Sequence, residues 1–345
     1  MIRAVLIRAA VAALLLALTP AAPVEAASGW SASPATAAGE RSNRPYLVYD
    51  IAPGEQLVDQ VMVANTGDEP IELEVYATDA FSDEAARFSL LTAAEQPAGA
   101  GRWLRTAVDH VRVPVGERAL IPVELKIPRG TPPGDYVAGV VTSATRSVRD
   151  ESGAAVLLDS RVAVRVYLRV TGDAPADVAA SGLTTTWDPG AWWNPFDDRV
   201  RVRYRVANPG AVRLAVAHEA DAIGPLGVDL GKRRGTVVPD LLPSADVAVG
   251  EGTPVGADVS DVGLMMPLGR ADVEVTVRAV DRVTGAPLDP VVLSSRVTAT
   301  PWPLLIALPC FGVAAWVGYV VWRRRRSSKP PASPSEEPQP AEGGA

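Results

Sequence analysis

Apolar and polar residues alternate strictly through much of the segment from Pro45 to Thr171, and this two-residue period constrains the fold more than any other feature. Side chains on a strand point alternately to opposite faces, so each alternating segment is predicted to be a strand with one core face. The apolar positions of three such segments are Ile71, Leu73, Val75 and Ala77, then Ile121, Val123, Leu125 and Ile127, then Val162, Val164, Val166, Leu168 and Val170. A helical period is weak and limited to residues 83–91.

Two short sequences recur after a polar joint at residues 172–177. The strand end at Val61–Gly67 is echoed at Tyr204–Gly210, and the Pro/Gly corner at Pro132–Val137 is echoed at Met266–Arg270. Units of about seven short strands with such turns are typical of immunoglobulin-like sandwiches. The sequence therefore predicts an all-β fold of two tandem sandwiches, at 45–172 and 176–300, with residues 28–44 as a flexible leader.

The segment from Trp302 to Trp322 carries no charge and is followed at once by four arginines, Arg323–Arg326. Its 21 residues are enough to cross the roughly 30 Å hydrocarbon core of a bilayer as a helix. Pro309 is expected to kink this helix. Basic residues mark the cytoplasmic side. We expect a single-pass cell-membrane protein with 302–322 in the lipid bilayer, the preceding residues outside, and 323–345 as a basic, then proline-rich cytoplasmic tail.

The first residues agree with this orientation. Met1–Ala27 contains two arginines, an apolar run over residues 9–18 and a small-residue exit, which is typical of a secretory signal peptide. Cys310 is the only cysteine, so the exported part is predicted to hold no disulfide and to depend on its apolar core.

The charge balance limits the partners. Of 33 basic and 40 acidic residues, the signal peptide and the tail hold seven basic and four acidic ones, which leaves 26 basic and 36 acidic residues in the exported part. A net charge of about −10 argues against nucleic acid as a partner, because phosphate binding needs a dense cationic surface.

Residues for catalysis or metal binding are sparse. His110 and His218 are the only histidines, too few for a histidine-based triad or metal site. The carboxylates Asp79, Asp83 and Glu84 have no calcium-loop spacing, and we expect them to cap turns or face solvent. No enzyme activity, metal or cofactor is therefore expected.

One part of the chain resembles a known family. The residues that carry the resemblance are Ile51–Glu55, Val63–Gly67, Thr78–Phe81, Val115–Glu117 and Pro133–Tyr136. Together they are similar to the peptidoglycan-binding first domain of WxL-interacting proteins, which are cell-surface proteins of Gram-positive bacteria. The resemblance implies an extracellular immunoglobulin-like fold that associates with cell-wall glycan and surface proteins.

Candidate binding residues lie in both predicted sandwiches. The resemblance implies glycan contact in the first, where Asp79, Phe81 and Trp103 combine polar and stacking groups. In the second, Trp187, Trp192 and Trp193 lie in a Pro/Gly-rich loop, where they either stack on sugars or pack on their own sandwich. Four arginines, Arg199, Arg201, Arg203 and Arg205, alternate along one strand, where they either grip wall phosphates or carboxylates or pair with a neighbouring strand, for example at Glu274.

Three functions follow in order of preference. The first is a non-enzymatic, membrane-anchored surface protein that binds peptidoglycan, another wall polymer or a surface protein. The second is a chaperone-like module that offers a sheet edge to a secreted client by β-augmentation. The third is a carboxylate-dependent wall hydrolase, whose test is loss of turnover on Asp79→Ala.

Overall fold

The computed structural model describes residues 29–149, 154–189, 194, 198–250, 255, 261–264, 269–299 and 302–327. The predicted signal peptide and the tail beyond Ser327 lie outside these residues. The described chain is all-β with one C-terminal helix, which confirms the predicted fold class. The chain divides into two compact units, one of residues up to Phe81 and Phe88–Pro175, the other of Ser82–Arg87 and the residues from Ala176 onward.

The first unit is a sandwich of two sheets. One sheet has the strand order β1-β3-β8-β6 and the other the order β2-β10-β9-β4-β5, with β7 also paired to β4. The strands are β1 (Trp30–Pro34), β2 (Leu47–Ile51), β3 (Gln56–Asn65), β4 (Ile71–Ser82), β5 (Phe88–Leu90), β6 (Leu104–Thr106), β7 (His110–Val113), β8 (Arg118–Lys126), β9 (Gly134–Arg149) and β10 (Ala155–Val170). The pairs β1–β3, β3–β8, β6–β8, β4–β7, β4–β9 and β9–β10 are antiparallel, whereas β2 and β10 pair in parallel.

The alternating residues fill the core of this sandwich as expected. Leu73, Ile121 and Val166 are fully buried, whereas Glu72 and Glu124 on the intervening positions are exposed. The predicted strand phases are therefore confirmed, because burial follows the two-residue period. The segment 83–91, where the sequence has a weak helical period, forms a turn and the short strand β5 and contains no helix.

Residues 29–44 are part of the first sandwich, which corrects the prediction of a flexible leader at 28–44. Trp30 begins β1, which pairs with β3, and only 4% of the residue is exposed. Its indole N–H donates to Thr142 Oγ1 on the opposite sheet, at 2.9 Å. A large ring buried between the sheets outweighs the polar composition of the residues around it.

The second unit is also a sandwich of two sheets. One sheet has the order β11-β12-β15, with β16 also paired to β12, and the other has the order β14-β13-β17-β18. The strands are β11 (Ala179–Asp188), β12 (Asp198–Ala207), β13 (Leu214–Ile223), β14 (Asp229–Leu241), β15 (Asp246–Gly250), β16 (Asp261–Leu264), β17 (Gly269–Asp281) and β18 (Val291–Ala299). Valines dominate its core, with Val200, Val216 and Val275 almost fully buried.

The same buried corner occurs in both units. Asn65 donates from Nδ2 to the carbonyls of Glu69 and Val113, while its Oδ1 accepts the N–H of Gly67. Asn208 makes the same three contacts, to the carbonyls of Val212 and Leu241 and from the N–H of Gly210. The internal repeat predicted from the Asn-x-Gly sequences is confirmed at this corner.

The single α-helix in the described part, α1, runs from Trp302 to Ser327 with Pro309 inside it. Residues Ile306–Arg324 are long enough and apolar enough to cross a membrane. The helix continues through the four arginines, so it extends beyond the predicted end at Trp322. Its composition is compatible with a single membrane anchor.

Candidate functional site

Asp79 on β4 organises the loop that leads to Trp103. Its Oδ2 accepts the backbone N–H groups of Ala98 and Gly99, and its Oδ1 accepts that of Gly101, all at 2.6–2.7 Å. A carboxylate that accepts several backbone N–H groups holds a loop in one conformation. The sequence interpretation of this residue as a turn-capping group is therefore confirmed, and Asp79 positions the short 3₁₀ helix at Ala100–Trp103.

Trp103 is half-buried and packs against Tyr136, with ring centroids 4.7 Å apart. Tyr136 belongs to the Pro/Gly corner that begins β9, and its hydroxyl donates to the carbonyl of Pro132. Phe81, also on β4, is 42% exposed. The loop anchored by Asp79 thus connects two of the three predicted residues of the first sandwich, Asp79 and Trp103.

Trp103 lines a groove of about 920 Å³ on the first sandwich. Four exposed cationic side chains surround it, from the 3₁₀ helix, β6, β8 and the loop after β8, together with the carboxylate of Glu124 on β8. Its lining includes Arg102, Trp103, Arg105, Glu124, Lys126 and Arg129, and we call this surface the groove. The sequence interpretation missed the four cations because they belong to separate segments of the chain.

Strands β9 and β10 form a long hairpin whose outer part we call the arm, residues 144–149 and 154–160. The pairing between the two strands continues to Ala155 and Arg149. Strand β2 pairs with β10 only at residues 166–170, so no described strand is hydrogen-bonded to the other edge of β10 over residues 155–165. Three consecutive apolar residues on the arm are exposed, Val156 at 44%, Leu157 at 75% and Leu158 at 50%.

The tryptophans predicted in the second sandwich are only partly described. Trp187 is half-buried on β11, and its indole nitrogen is buried without a hydrogen-bond partner among the described residues. Its ring is therefore less open to sugar stacking than the loop sequence indicates. Trp192 and Trp193 lie outside the described residues, and sugar stacking by this loop stays a prediction.

Two arginines of β12 pair with acidic residues of flanking strands. Arg205 lies 3.0 Å from Asp246 on β15, and Arg201 contacts Asp188 on β11. The strand-pairing interpretation is confirmed for these two residues. Its example Glu274 is wrong as a partner, because Glu274 is on β17 in the other sheet.

The histidines and carboxylates show no catalytic arrangement in the part of the chain that is described. His218 is buried on β13 and its Nδ1 lies 2.7 Å from the Tyr204 hydroxyl, while His110 is exposed on β7. Burial raises the pKa of Tyr204 above its usual range, so its hydroxyl stays protonated. Asp83 accepts backbone N–H groups of its own turn. Within the described residues no cluster of three or more His, Cys, Asp or Glu could hold a metal ion.

No protein-family model and no curated protein sequence matches the chain. Among solved structures, the class 5 fimbriae chaperone CfaA is similar over 72% of this chain and 96% of its own, with 12% identity and a TM-score of 0.34. The YadV chaperone is similar over 79% and 100%, with 12% identity and a TM-score of 0.32. A family 123 glycoside hydrolase from Clostridium perfringens is similar over 41% and 27%, with 12% identity and a TM-score of 0.28. At such scores these likenesses do not assign a function.

Proposed function

We propose that this is an exported, membrane-anchored protein that binds an extended segment of another exported protein along the free edge of β10. The arm carries the proposal, because it combines an uncovered strand edge with exposed apolar residues. Uncovered edges invite pairing with another chain, and natural proteins usually shorten, charge or cover them. Here eleven residues of β10, 155–165, are hydrogen-bonded to a strand on one side only among the described strands.

On one face of β10, the side chains form an alternating row that a partner strand could extend. Val164 is buried in the core, Val162 is half-buried, and Leu158 and Val156 continue the same alternating row into solvent. An added strand along β10 would extend the sheet, and its alternate apolar side chains would complete this row. Burying apolar surface gives roughly 25 cal/mol per Å², and the backbone hydrogen bonds fix the direction of pairing.

The opposite face of the arm differs from this one in composition and serves as its control. Leu157, Asp159 and Arg161 point to that side, and Asp159 forms an ion pair with Arg161 at 3.4 Å. This face therefore alternates apolar with charged groups and does not continue the core. We expect the client to contact Val156 and Leu158 rather than Leu157.

The test places a photo-crosslinking amino acid at 158, or at 157 as the control, in the full-length protein in its own cells. We expect crosslinks from 158 to exported proteins and at least fivefold fewer from 157. Adding Val156→Asp should abolish the crosslinks from 158 without changing thermal stability, because Val156 is exposed. Equal crosslinking from both positions, or none from 158, would contradict strand pairing at this edge.

Peptidoglycan binding by the first sandwich remains a second proposal. It is favoured by the placement of Trp103, whose aromatic ring lines the groove while Tyr136 supports it from the side. Exposed aromatic faces are common contacts for sugar rings. Co-sedimentation of the ectodomain, residues 29–300, with purified sacculi should weaken on Trp103→Ala. Unchanged sedimentation of this variant, or none with the native ectodomain, would contradict it.

A further inference from the structure

The groove concentrates positive charge on a protein whose exported part is strongly acidic. Arg102, Arg105, Lys126 and Arg129 line it together with a single carboxylate, Glu124, so the groove carries a local charge of about +3. Arg105 and Glu124 are opposite each other on β6 and β8. Within the described residues, no acidic group lies within ion-pair distance of any of the four cations. The cations are therefore open to an external anion.

The fold holds parts of the groove in place before any ligand arrives. Gly54 has a φ of +88°, and a Cβ there would lie 2.9 Å from Cγ of Arg129, so the Arg129 stem packs directly over the glycine backbone. The N–H of Gly54 donates to the carbonyl of Ile127 at 3.1 Å, which ties the two loops together. On the other side, Asp79 fixes the loop that precedes Arg102. A binding site with a pre-ordered backbone loses less entropy when it is occupied.

We propose that the groove binds a segment of an anionic polymer, whose phosphate or carboxylate groups pair with the four cations while Trp103 contacts the polymer backbone. Guanidinium groups bind both anions with paired hydrogen bonds, and three of the four cations are arginines. The volume of about 920 Å³ exceeds the needs of one small anion and fits several linked units. The groove is on the sheet of β6 and β8, whereas the proposed client edge belongs to the sheet of β10, so this inference goes beyond client binding. It shares Trp103 with the second proposal and adds the charged groups that the ligand of the groove would carry.

The test measures binding of full-length detergent-solubilised protein to three probes: polyphosphate, polygalacturonate and neutral dextran. We expect a polyanion to bind at low salt, to weaken at least tenfold between 50 and 300 mM NaCl, and dextran not to bind. Preference for polyphosphate assigns phosphate as the recognised group, and preference for polygalacturonate assigns carboxylate. Absence of binding to both polyanions, or equal binding of dextran, would overturn the proposal.

Variants locate the site. Lys126→Ala combined with Arg129→Ala should weaken polyanion binding at least tenfold, and Lys126→Arg should retain it. Arg118→Ala is the matched control, because Arg118 is exposed on the same strand but outside the groove. Equal losses from the control and the double variant would show non-specific charge attraction and overturn the assignment. Val156→Asp on the arm should leave polyanion binding unchanged, which separates this site from the client edge.

Discussion

Trp30 joins the two sheets of the first sandwich through one side chain. It is 4% exposed, and its indole N–H donates to Thr142, whose hydroxyl in turn donates to the carbonyl of Val162. This chain of hydrogen bonds links β1 to β9 and β10. A buried polar network in which each donor has an acceptor restricts the packing of its neighbours.

We predict that Trp30→Ala destabilises the first sandwich by about 3–5 kcal/mol, because it leaves a large cavity. Trp30→Phe keeps much of the apolar contact but removes the indole donor, so its cost should be smaller, about 1–3 kcal/mol. Urea unfolding of the ectodomain, with exposed Ser31→Ala as the control, measures both. Native-like stability of Trp30→Ala would show that β1 is not integral to the sandwich.

Asn65 and Asn208 make equivalent corners in the two units. Each is buried, and each side chain satisfies two backbone carbonyls and one backbone N–H. We predict that Asn65→Ala and Asn208→Ala each lower the free energy of unfolding by about 2–4 kcal/mol. Without the amide side chain, buried backbone groups are left without hydrogen-bond partners. Calorimetry of the ectodomain should show each variant lowering the transition of its own unit. The exposed Thr66→Ala is the control, and a loss as large as that of Asn65→Ala would contradict the role of the side chain.

Strands β13 and β14 are tied on their outer face by a charged cluster. Glu219 on β13 lies 2.8 Å from Arg234 on β14 and also contacts Lys232, while Asp221 lies 3.0 Å from Lys232. Hydrogen bonds from Arg234 and then Lys232 lower the pKa of Glu219 from 4.5 to about 2. The ionised carboxylate is thus favoured in the folded state.

This pKa shift predicts acid sensitivity of the second unit. Because the folded-state pKa is depressed, the stability from Glu219 is fully present above about pH 4.5 and is lost as pH falls toward about 2. Glu219→Gln should therefore be less stable than the native protein at pH 6, and the difference should shrink across this window. Urea midpoints from pH 2 to 6 measure it, with exposed Glu274→Gln as the control. A difference that is constant with pH would contradict the linkage.

At the scale of the whole molecule, α1 and the four arginines that end it define the expected orientation. The stretch Ile306–Arg324 is long and apolar enough to cross a membrane, and basic residues next to such a helix favour the cytoplasmic side. We predict that a protease added to intact protoplasts removes the residues before Trp302 and leaves an epitope tag after Ala345 protected until lysis. Survival of the full-length band, or cleavage of the tag before lysis, would contradict this topology.

The sequence alone determined the features that depend on near neighbours. The two-residue period predicted which side chains of β4, β8 and β10 face the core, since strand geometry and apolar burial act along a few residues. The repeated Asn-x-Gly predicted two related corners for the same reason. The uncharged stretch before Arg323 predicted the C-terminal helix, because length and hydropathy suffice for that inference.

Only the tertiary structure decided the features that join distant segments. The polar composition around Trp30 indicated a leader, and the cross-sheet partner that holds it, Thr142, is 112 residues away. The groove combines residues from two separate stretches of the chain, 102–105 and 124–129, and Asp79 acts through a loop about 20 residues further on. The uncovered edge of β10 depends on where β2 ends beside it. Such contacts are set by packing between sheets, and no local period in the sequence encodes which segments meet.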